Sequence, residues 1–226
     1  MNKKNYQREM EQIIKKEQEQ GHVPTLLLHS CCAPCSSYVL EALAEYFQIT
    51  VFYYNPNIFP AEEFEKRIRE QERLIEQMPA RYPISFLAGN YDSEKFYEMA
   101  KGLEEVPEGG ERCFRCYELR LREAAGKAKR GGYDYFTTTL SISPLKNAQK
   151  LNEIGKSLEE EYGVRYLLSD FKKKNGYKRS TELSAKYGLY RQDYCGCIYS
   201  KLEREREKAA KEEVETDGTY TGRICK

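Results

Sequence analysis

Short apolar runs alternate with amphipathic helical segments along most of this chain, beginning at Pro24. Five apolar runs lie at residues 25–28, 49–54, 84–88, 135–139 and 166–168. Segments with helical spacing separate them, such as the one in which Val39, Leu40 and Leu43 share a face. Strands that alternate with helices are typical of a parallel sheet, because parallel strands need long crossover connections. The pattern therefore predicts an α/β fold, a Rossmann-like parallel sheet of about five strands with helices on both faces, followed by a C-terminal helical segment.

The same pattern divides the chain into three parts. Residues 1–22 are polar with a weak helical rhythm and are interpreted as an N-terminal helical arm. Residues 23–213 are predicted to form one Rossmann-like α/β domain, whose stretch after the fifth strand is helical in pattern. Within it, Ser143 and Pro144 stand in the preferred order for a helix start. Residues 214–226 are expected to form a disordered tail.

Composition narrows the class of protein. The chain has 226 residues with 37 basic and 36 acidic side chains, so a nucleic-acid partner would have to meet a local basic surface. No stretch is apolar enough for a secretory leader or a membrane span, and we expect a cytoplasmic protein without a membrane partner. Eight cysteines in a reducing compartment favour metal or redox chemistry over a framework of structural disulfides.

Six of those cysteines fall into three tight groups, which indicates a site, since structural cysteines scatter. Cys31 and Cys32 follow the first predicted strand, at the sheet edge where ligands of such folds gather. Cys113 and Cys116 bring the number of thiolates to four, which suits a tetrahedral zinc ion or a four-iron cluster. The wide separation of the two pairs in the sequence, and the divergent directions of adjacent cysteines, favour iron–sulfur over structural zinc.

The third group is Cys195-Gly196-Cys197. Its glycine permits a tight turn that brings the two thiols within disulfide reach, in a small ring that is strained and easily reduced. This arrangement is typical of a redox-active pair. Further metal ligands or unpaired thiols are the alternatives.

Cys35 lies about one helical turn beyond the first group. It either faces the same site or is a small core residue. A mononuclear metal beside the four-cysteine site would use Cys35 together with a carboxylate such as Asp134 or Asp170. His29, which precedes the group, is interpreted as a structural residue and not as a proton donor.

Two further features concern protons and a nucleic-acid partner. Asp193 and Tyr194 adjoin the third cysteine group and are candidate acids. After the fifth strand, cations alternate with tyrosines, a combination that suits a phosphate backbone with unstacked bases. These cations are Lys172, Lys173, Lys174, Lys178 and Arg179. A solvated loop whose tyrosines pack inward is the alternative.

Five motifs resemble the QueH family of epoxyqueuosine reductases, over residues 24–206. They are HSCCAPCS at 29–36, YYNPNI at 53–58, RCFRCY at 112–117, FTTTLSISPLKN at 136–147 and YRQDYCGC at 190–197. The resemblance implies the last step of queuosine biosynthesis, in which the epoxide oxygen is removed from the modified guanine at the wobble position of transfer RNA. It also implies that the reaction is independent of cobalamin.

The resemblance further implies roles for individual cysteines. A four-iron cluster is expected on Cys31, Cys32, Cys113 and Cys116. Cys195 and Cys197 are expected to form a redox-active disulfide, which an external electron donor reduces. Independently of the resemblance, we expect the leaving oxygen to be protonated by one of three residues: Asp193, Tyr194 or Asp134.

Two other classes fit parts of the pattern. Some ATP-using enzymes that thiolate transfer RNA are Rossmann-like and carry three cysteines, but they need a glycine- and serine-rich loop after the first strand, where this chain has CCAP. A zinc-stabilised RNA-binding module without catalysis would account for the basic aromatic segment. It would not account for the third cysteine group.

Overall fold

The computed structural model describes residues 4–218, with side chains as far as Lys211, and its helices and strands alternate as the apolar runs predict. They are α1 (Tyr6–Glu19), β1 (Thr25–His29), α2 (Ala33–Leu43), β2 (Gln48–Tyr53), α3 (Ala61–Gln77), β3 (Ser85–Ala88), α4 (Ser93–Ala100), α5 (Glu111–Gly131), β4 (Tyr135–Thr138), a 3₁₀ turn (Thr139–Ile142), α6 (Ala148–Tyr162), β5 (Arg165–Tyr166), α7 (Gly176–Lys186) and α8 (Ile198–Gly218).

The five strands form one parallel sheet in the order β3-β2-β1-β4-β5. Leu27 of β1 pairs with Thr50 on one side and with Phe136 on the other. The chain moves outward from β1 in one direction and then, through β4, in the other, so the sheet has a switch point between β1 and β4. In such sheets a crevice opens at the carboxyl ends of these two strands. The predicted α/β class, with a parallel sheet between helices, is confirmed.

Alternate side chains of β1 belong to two different cores. Leu26 and Leu28 are fully buried against α2 and α3 on one face of the sheet, in a cluster with Leu40 and Leu74. Leu27 is buried on the opposite face, in a cluster with residues of α5 and α6. Because both faces are covered, the strand has no polar side and is read as a continuous apolar run in the sequence.

The prediction that a helix starts at Ser143 is wrong. Residues 139–142 form a 3₁₀ turn, which ends where the Ser143 N–H donates to the Leu140 carbonyl, and α6 begins only at Ala148. Its N-cap is Asn147, whose side-chain oxygen accepts the N–H of Lys150 at 3.0 Å. Residues 143–147 are therefore a loop that follows the carboxyl end of β4.

The last helix extends to Gly218, past the boundary expected at residue 213. The rest of the expected tail, residues 219–226 with Cys225, lies outside the described residues. Among the helices of residues 4–218, each is either too short or too polar to cross a bilayer.

The N-terminal arm is helix α1, which docks through a buried carboxylate. Met10 and Ile14 lie in the core, and Glu17 is 6% exposed. The Glu17 carboxylate accepts hydrogen bonds from Tyr135 at 2.6 Å, from Arg165 at 2.8 Å and from His22 at 2.7 Å. Burial alone would raise the pKa of Glu17, but these partners lower it below its ordinary value. The charged form is thus the one that the fold favours.

We expect Glu17→Gln to lower the free energy of unfolding by about 1–3 kcal/mol at pH 7, because charge-assisted hydrogen bonds to a buried group are lost. The folded pKa lies below the ordinary value of 4.5. The stabilisation by Glu17 is therefore present above pH 4.5 and is lost as the pH falls below it. Denaturant unfolding at pH 7 and at lower pH measures both effects.

Glu19→Gln is the matched control, since Glu19 lies on the same helix in an exposed pair with Lys15. It should change the stability by no more than about 0.5 kcal/mol. If the loss caused by Glu17→Gln were the same at pH 7 and at pH 3, the docking carboxylate would not be ionised.

Candidate metal and redox site

Three thiols gather where β1 passes into α2. Cys32 is the N-cap of α2. The Sγ atoms of Cys31, Cys32 and Cys35 all lie within 4.8 Å of one another, and those of Cys31 and Cys32 are 3.8 Å apart. Of the two alternatives for Cys35, the structure supports the first, since its sulfur faces the same group. The trio meets the requirement of a thiophilic metal for several thiolates in one place.

Ionisation of one of these three sulfurs changes the pKa of the other two. Hydrogen bonds from Cys32 and Cys35, together with the charge of Lys146, hold the pKa of Cys31 well below its ordinary value. The Cys31 thiolate in turn raises the pKa of Cys32 to about 12 and holds that of Cys35 well above its ordinary value. A metal that binds all three sulfurs must therefore displace protons from Cys32 and Cys35.

The second pair lies on the first turns of α5. The Cys113 Sγ accepts the N–H of Gly109 at 3.3 Å, and Cys116 is buried with 7% of its surface exposed. Burial raises the pKa of both thiols, to about 12 for Cys116, and the nearby sulfurs of Cys195 and Cys197 add to the effect. The second and third cysteine groups are therefore neighbours in space.

A chain of buried hydrogen bonds connects the first two groups. The Arg120 guanidinium donates to the carbonyl of Cys116 at 3.2 Å and to the Asn55 Oδ1 at 3.3 Å. Asn55 in turn donates from Nδ2 to the carbonyl of Ser30, the residue before Cys31, at 2.8 Å. Burial alone would lower the pKa of Arg120, but the thiolates of Cys116, Cys195 and Cys31 raise it. One cation thus faces all three groups.

The third group lies in the loop between α7 and α8. Gly196 has a φ of +128°, which favours glycine, and its carbonyl accepts the N–H of Phe59 at 2.8 Å. The hydroxyl of Tyr194 donates to the Phe59 carbonyl at 2.7 Å. These bonds anchor the loop to the segment that follows β2. Cys195 and Cys197 are free thiols here, and their redox role stays a prediction.

Four of the cysteines, one of them from the third group, line a cleft of about 750 Å³. Its walls include Cys31, Cys32, Cys35, Lys146, Tyr194 and Cys195. The Lys146 Nζ lies 3.4 Å from the Cys195 Sγ. Burial alone would lower the pKa of Lys146, but the thiolates of Cys195 and Cys31 raise it, so this side chain is a fixed cation.

Sequence reasoning assigned no role to Lys146 or Arg120. For Lys146 a signal existed, because it follows β4, and the strand next to β1 delivers its loop to the same edge of the sheet. The helix predicted from Ser143 assigned Lys146 to a helix, so its position in a loop at the site was missed. Arg120 offered no such signal, since it is one of many cations on an amphipathic helix.

The three predicted proton donors differ in position and charge. Asp134 is not at the site: it accepts hydrogen bonds from the N–H and hydroxyl of Thr25, both at 2.9 Å, at the amino ends of β1 and β4. Asp193 lines the cleft, but a hydrogen bond from Lys208 lowers its pKa, so it is ionised at neutral pH. Burial raises the pKa of Tyr194 to about 12, which keeps its proton.

His29 is structural, as interpreted from the sequence. Its ring nitrogens are bonded to the Thr138 hydroxyl at 2.8 Å and to the Tyr54 carbonyl at 3.0 Å. Burial and the charge of Arg120 lower its pKa to about 4. At neutral pH the ring is therefore uncharged and lacks the acidic second proton of an imidazolium. It joins β1 to its neighbouring segments instead.

The basic aromatic segment lies beside the cleft, which Tyr177 of α7 lines. Three of its five cations are paired with carboxylates. These pairs are Lys172 with Asp170, Lys174 with Glu11, and Arg179 with Glu41 and Glu182. Lys173 and Lys178 are exposed. The Asp170 carboxylate is therefore already paired with Lys172. Contact between this segment and a nucleic acid stays a prediction.

A Rossmann-like sheet with thiols and fixed cations at its switch point defines a class of redox or metal-dependent enzyme. Comparison with known proteins specifies the family. The sequence profile described as "Epoxyqueuosine reductase QueH" matches residues 26–203. That span contains all three cysteine groups, so the chain belongs to the epoxyqueuosine reductase QueH family, a family of oxidoreductases.

Individual relatives agree with this assignment. The chain is similar to the epoxyqueuosine reductase QueH of Staphylococcus epidermidis, with 43% identity over 88% of this chain and 86% of the relative. The protein of the same name from Streptococcus pyogenes is 42% identical over 87% and 78%. The one from Thermotoga maritima is 38% identical over 82% and 94%. The resemblance inferred from the five motifs is confirmed.

We expect Arg120→Met to lower the affinity of the protein for a thiophilic metal by about 10- to 100-fold, because a group that orients the ligands and compensates their charge is removed. Competition between the metal-free protein and a chelator for cobalt(II), followed by its thiolate absorption bands, measures this affinity.

Arg122→Met is the matched control on the same helix, since Arg122 is exposed and pairs with Glu118 at 3.0 Å. It should leave the cobalt affinity unchanged. A folded Arg120→Met protein with the affinity of the wild type would contradict the bridging role.

Proposed function

We propose that this chain is an epoxyqueuosine reductase that acts on transfer RNA carrying epoxyqueuosine at the wobble position. The reaction takes up two electrons and two protons, removes the epoxide oxygen as water and leaves the alkene of queuosine. It is the last step of queuosine biosynthesis and does not use cobalamin. A transfer RNA substrate also supports the cytoplasmic location expected from the sequence.

The observation that carries this proposal is the convergence of the cysteine groups at one end of the sheet. Arg120 is bonded to the backbone of Cys116 and, through Asn55, to the residue before Cys31. Cys31 and Cys116, about 85 positions apart in the sequence, are thereby connected through one buried cation. Convergence of this kind suits a shared prosthetic group better than two separate structural sites.

The residues fit a four-iron cluster on Cys31, Cys32, Cys113 and Cys116. All four donors are thiols, the ligands that such clusters use. Four thiolates carry more negative charge than the cluster core neutralises, and the buried cations Arg67, Arg120 and Lys146 lie close enough for the thiolates to raise their pKa. When bound, this group supplies electron transfer and an iron that acts as a Lewis acid.

Cys35 supports an additional mononuclear metal beside these four ligands. Its sulfur adds a fifth thiol to the site. Neither carboxylate considered from the sequence supports this metal, because Asp134 is bonded to Thr25 at the other edge of the sheet and Asp170 pairs with Lys172. Its remaining ligands come from other groups at the cleft or from the substrate.

Cys195 and Cys197 store the electrons in this proposal. A dithiol releases two electrons on forming a disulfide, which is the number that the reaction consumes. The loop that carries them is anchored by Gly196 and Tyr194 to the segment after β2, which holds Cys195 at the cleft with Cys197 behind it. An external electron donor restores the dithiol after each turnover.

The direct test uses protein reconstituted with iron and sulfide without air, a strong chemical reductant, and transfer RNA that carries epoxyqueuosine. Mass spectrometry of the nucleosides should show the loss of one oxygen. Cys116→Ser should abolish turnover and reduce the iron content from about four atoms per chain. Cys225→Ser is the control and should change neither. A protein that holds four iron atoms and leaves the epoxide intact would contradict the proposal.

Tyr194 is the proton donor that we propose, because it lines the cleft and keeps its proton at neutral pH. To reach the leaving oxygen, its hydroxyl exchanges the hydrogen bond to the Phe59 carbonyl for one to the substrate. Tyr194→Phe should lower kcat by about 100-fold while the absorption spectrum of the reconstituted protein stays unchanged. Tyr190→Phe is the control, since Tyr190 lies on the same loop as Tyr194. Its hydroxyl is bonded to Glu63 of α3 at 3.2 Å. Equal rates for Tyr194→Phe and wild type would assign the proton to another group.

The exposed cations Lys173 and Lys178 are proposed to contact the transfer RNA backbone, with Lys172, Lys174 and Arg179 beside them. Surface ion pairs such as Arg179 with Glu41 contribute little energy and open readily to a phosphate. Replacing Lys173 and Lys178 by alanine should weaken binding, and the slope of log affinity against log salt should fall by about 0.7 for each lost phosphate contact.

Lys15→Ala on α1 is the control for this measurement, because Lys15 is a similarly exposed lysine that pairs with Glu19. Filter binding at several salt concentrations gives both slopes. An unchanged slope in the double variant would exclude the segment from the RNA contact.

A further inference from the structure

The two sulfurs of the third cysteine group lie in different surroundings. Cys195 lines the cleft and is partly exposed. Cys197 is 7% exposed and packs in a cluster with Phe96, Ala100 and Cys116. Its Sγ accepts the N–H of Ser200 at 3.4 Å. A molecule that enters the cleft therefore meets the sulfur of Cys195 first.

A fixed cation stands beside the exposed sulfur. The Lys146 Nζ is 3.4 Å from the Cys195 Sγ, within reach of a charge-assisted contact. Lys146 comes from the loop between the 3₁₀ turn and α6. A cation held in this position attracts negative charge that develops on the Cys195 sulfur during exchange. The contacts of the Cys197 Sγ are with neutral groups, the N–H and the hydroxyl of Ser200, both at 3.4 Å.

We propose that Cys195 is the sulfur that exchanges with the external electron donor, that Cys197 is its internal partner, and that Lys146 is a positioning residue for the Cys195 thiolate. The electron donor is then a dithiol that reaches the pair through the cleft. This inference rests on the redox role of the pair in the proposed function, and it adds the order of the steps and the chemical class of the partner.

The exchange has two steps. A thiolate of the donor attacks the Cys195 Sγ, the bond between Cys195 and Cys197 breaks, and Cys197 leaves with the electron pair and takes up a proton. The second thiol of the donor, deprotonated, then attacks the donor's own first sulfur. Cys195 leaves as a thiolate beside Lys146, and the donor is released as a disulfide. Two electrons have passed from the donor dithiol to the protein.

Two effects oppose each other in the first step. Attack on Cys197 would release Cys195 next to the positive charge of Lys146, which favours departure of that sulfur. Attack on Cys195 needs no rearrangement, whereas Cys197 can be reached only if the cluster around Phe96 opens. A leaving-group advantage changes an exchange rate gradually, but a sulfur without access does not react at all. Access therefore decides the order.

The test uses the full chain and follows the tryptic peptide 192–201, which contains Cys195 and Cys197 and no other cysteine. Oxidised glutathione serves as the disulfide probe, and mass spectrometry of this peptide measures formation of the mixed disulfide. Cys197→Ser, which retains Cys195, should react at least 10-fold faster than Cys195→Ser, which retains Cys197. Equal rates, or a faster Cys197, would overturn the assignment.

Lys146 is tested in the Cys197→Ser background. Lys146→Met should slow the reaction of Cys195 about 10-fold, and Lys146→Arg should restore most of the rate. Lys150→Met is the matched control, since Lys150 is a neighbouring cation that pairs with Glu153 on α6. A Met variant that reacts at the unchanged rate would remove Lys146 from the proposal.

A measurement on the wild type covers the case in which a serine variant fails to fold. Protein oxidised to the disulfide is treated briefly with dithiothreitol and quenched with acid, and fragmentation of peptide 192–201 locates the adduct. An adduct on Cys195 supports the proposal, and one on Cys197 overturns it. If the oxidised peptide lacks the internal disulfide altogether, the redox role in the proposed function fails, which is a separate result from an adduct on Cys197.

Discussion

The buried guanidinium of Arg120 is the interaction on which the site depends. It connects the backbone of Cys116 on α5 to Asn55 at the end of β2, and Asn55 holds the carbonyl before Cys31. A buried arginine is costly unless its charge and its donors are matched. Here carbonyl and amide oxygens match the donors, and the thiolates of three cysteine groups match the charge. The same cation therefore connects the elements that carry the thiols, and its charge opposes the rise in the pKa of Cys116 that burial causes.

The sheet order explains why this arrangement arises at one end of the molecule. β1 lies between β2 and β4, so the segments that follow all three strands meet at the same edge. The segment after β1 carries the first cysteines, the segment after β2 carries Asn55, and the segment after β4 carries Lys146. The other thiols come from α5 and from the loop before α8. A dense group of sulfurs would repel itself once ionised. Arg67, Arg120 and Lys146 offset that repulsion, and they lie on three different elements of the chain.

Much of this could be predicted from the sequence, for physical reasons that differ from residue to residue. β1 is apolar throughout because both of its faces are buried, so its place in a parallel sheet was predictable, and with it the position of Cys31 and Cys32 at the carboxyl edge. The same reasoning could have excluded Asp134, because a residue that precedes a strand lies at the amino edge. Ser143 and Pro144 suggested a helix start, but the chain first completes a 3₁₀ turn, and the side chain of Asn147 caps α6 instead. The hydrogen bonds of Arg120 and the contact between Lys146 and Cys195 join segments that are far apart in the sequence. Local sequence patterns therefore could not predict them.

The central claim is that Cys31 and Cys32 share one metal centre with Cys113 and Cys116, while Cys195 and Cys197 remain outside it. Anomalous diffraction at the iron edge, from crystals of the reconstituted protein grown without air, tests this most directly. The account predicts iron within bonding distance of the sulfurs of Cys31, Cys32, Cys113 and Cys116, with Cys195 and Cys197 unliganded. Metal bound by Cys31, Cys32 and Cys35, with Cys113 and Cys116 as free thiols, would contradict it.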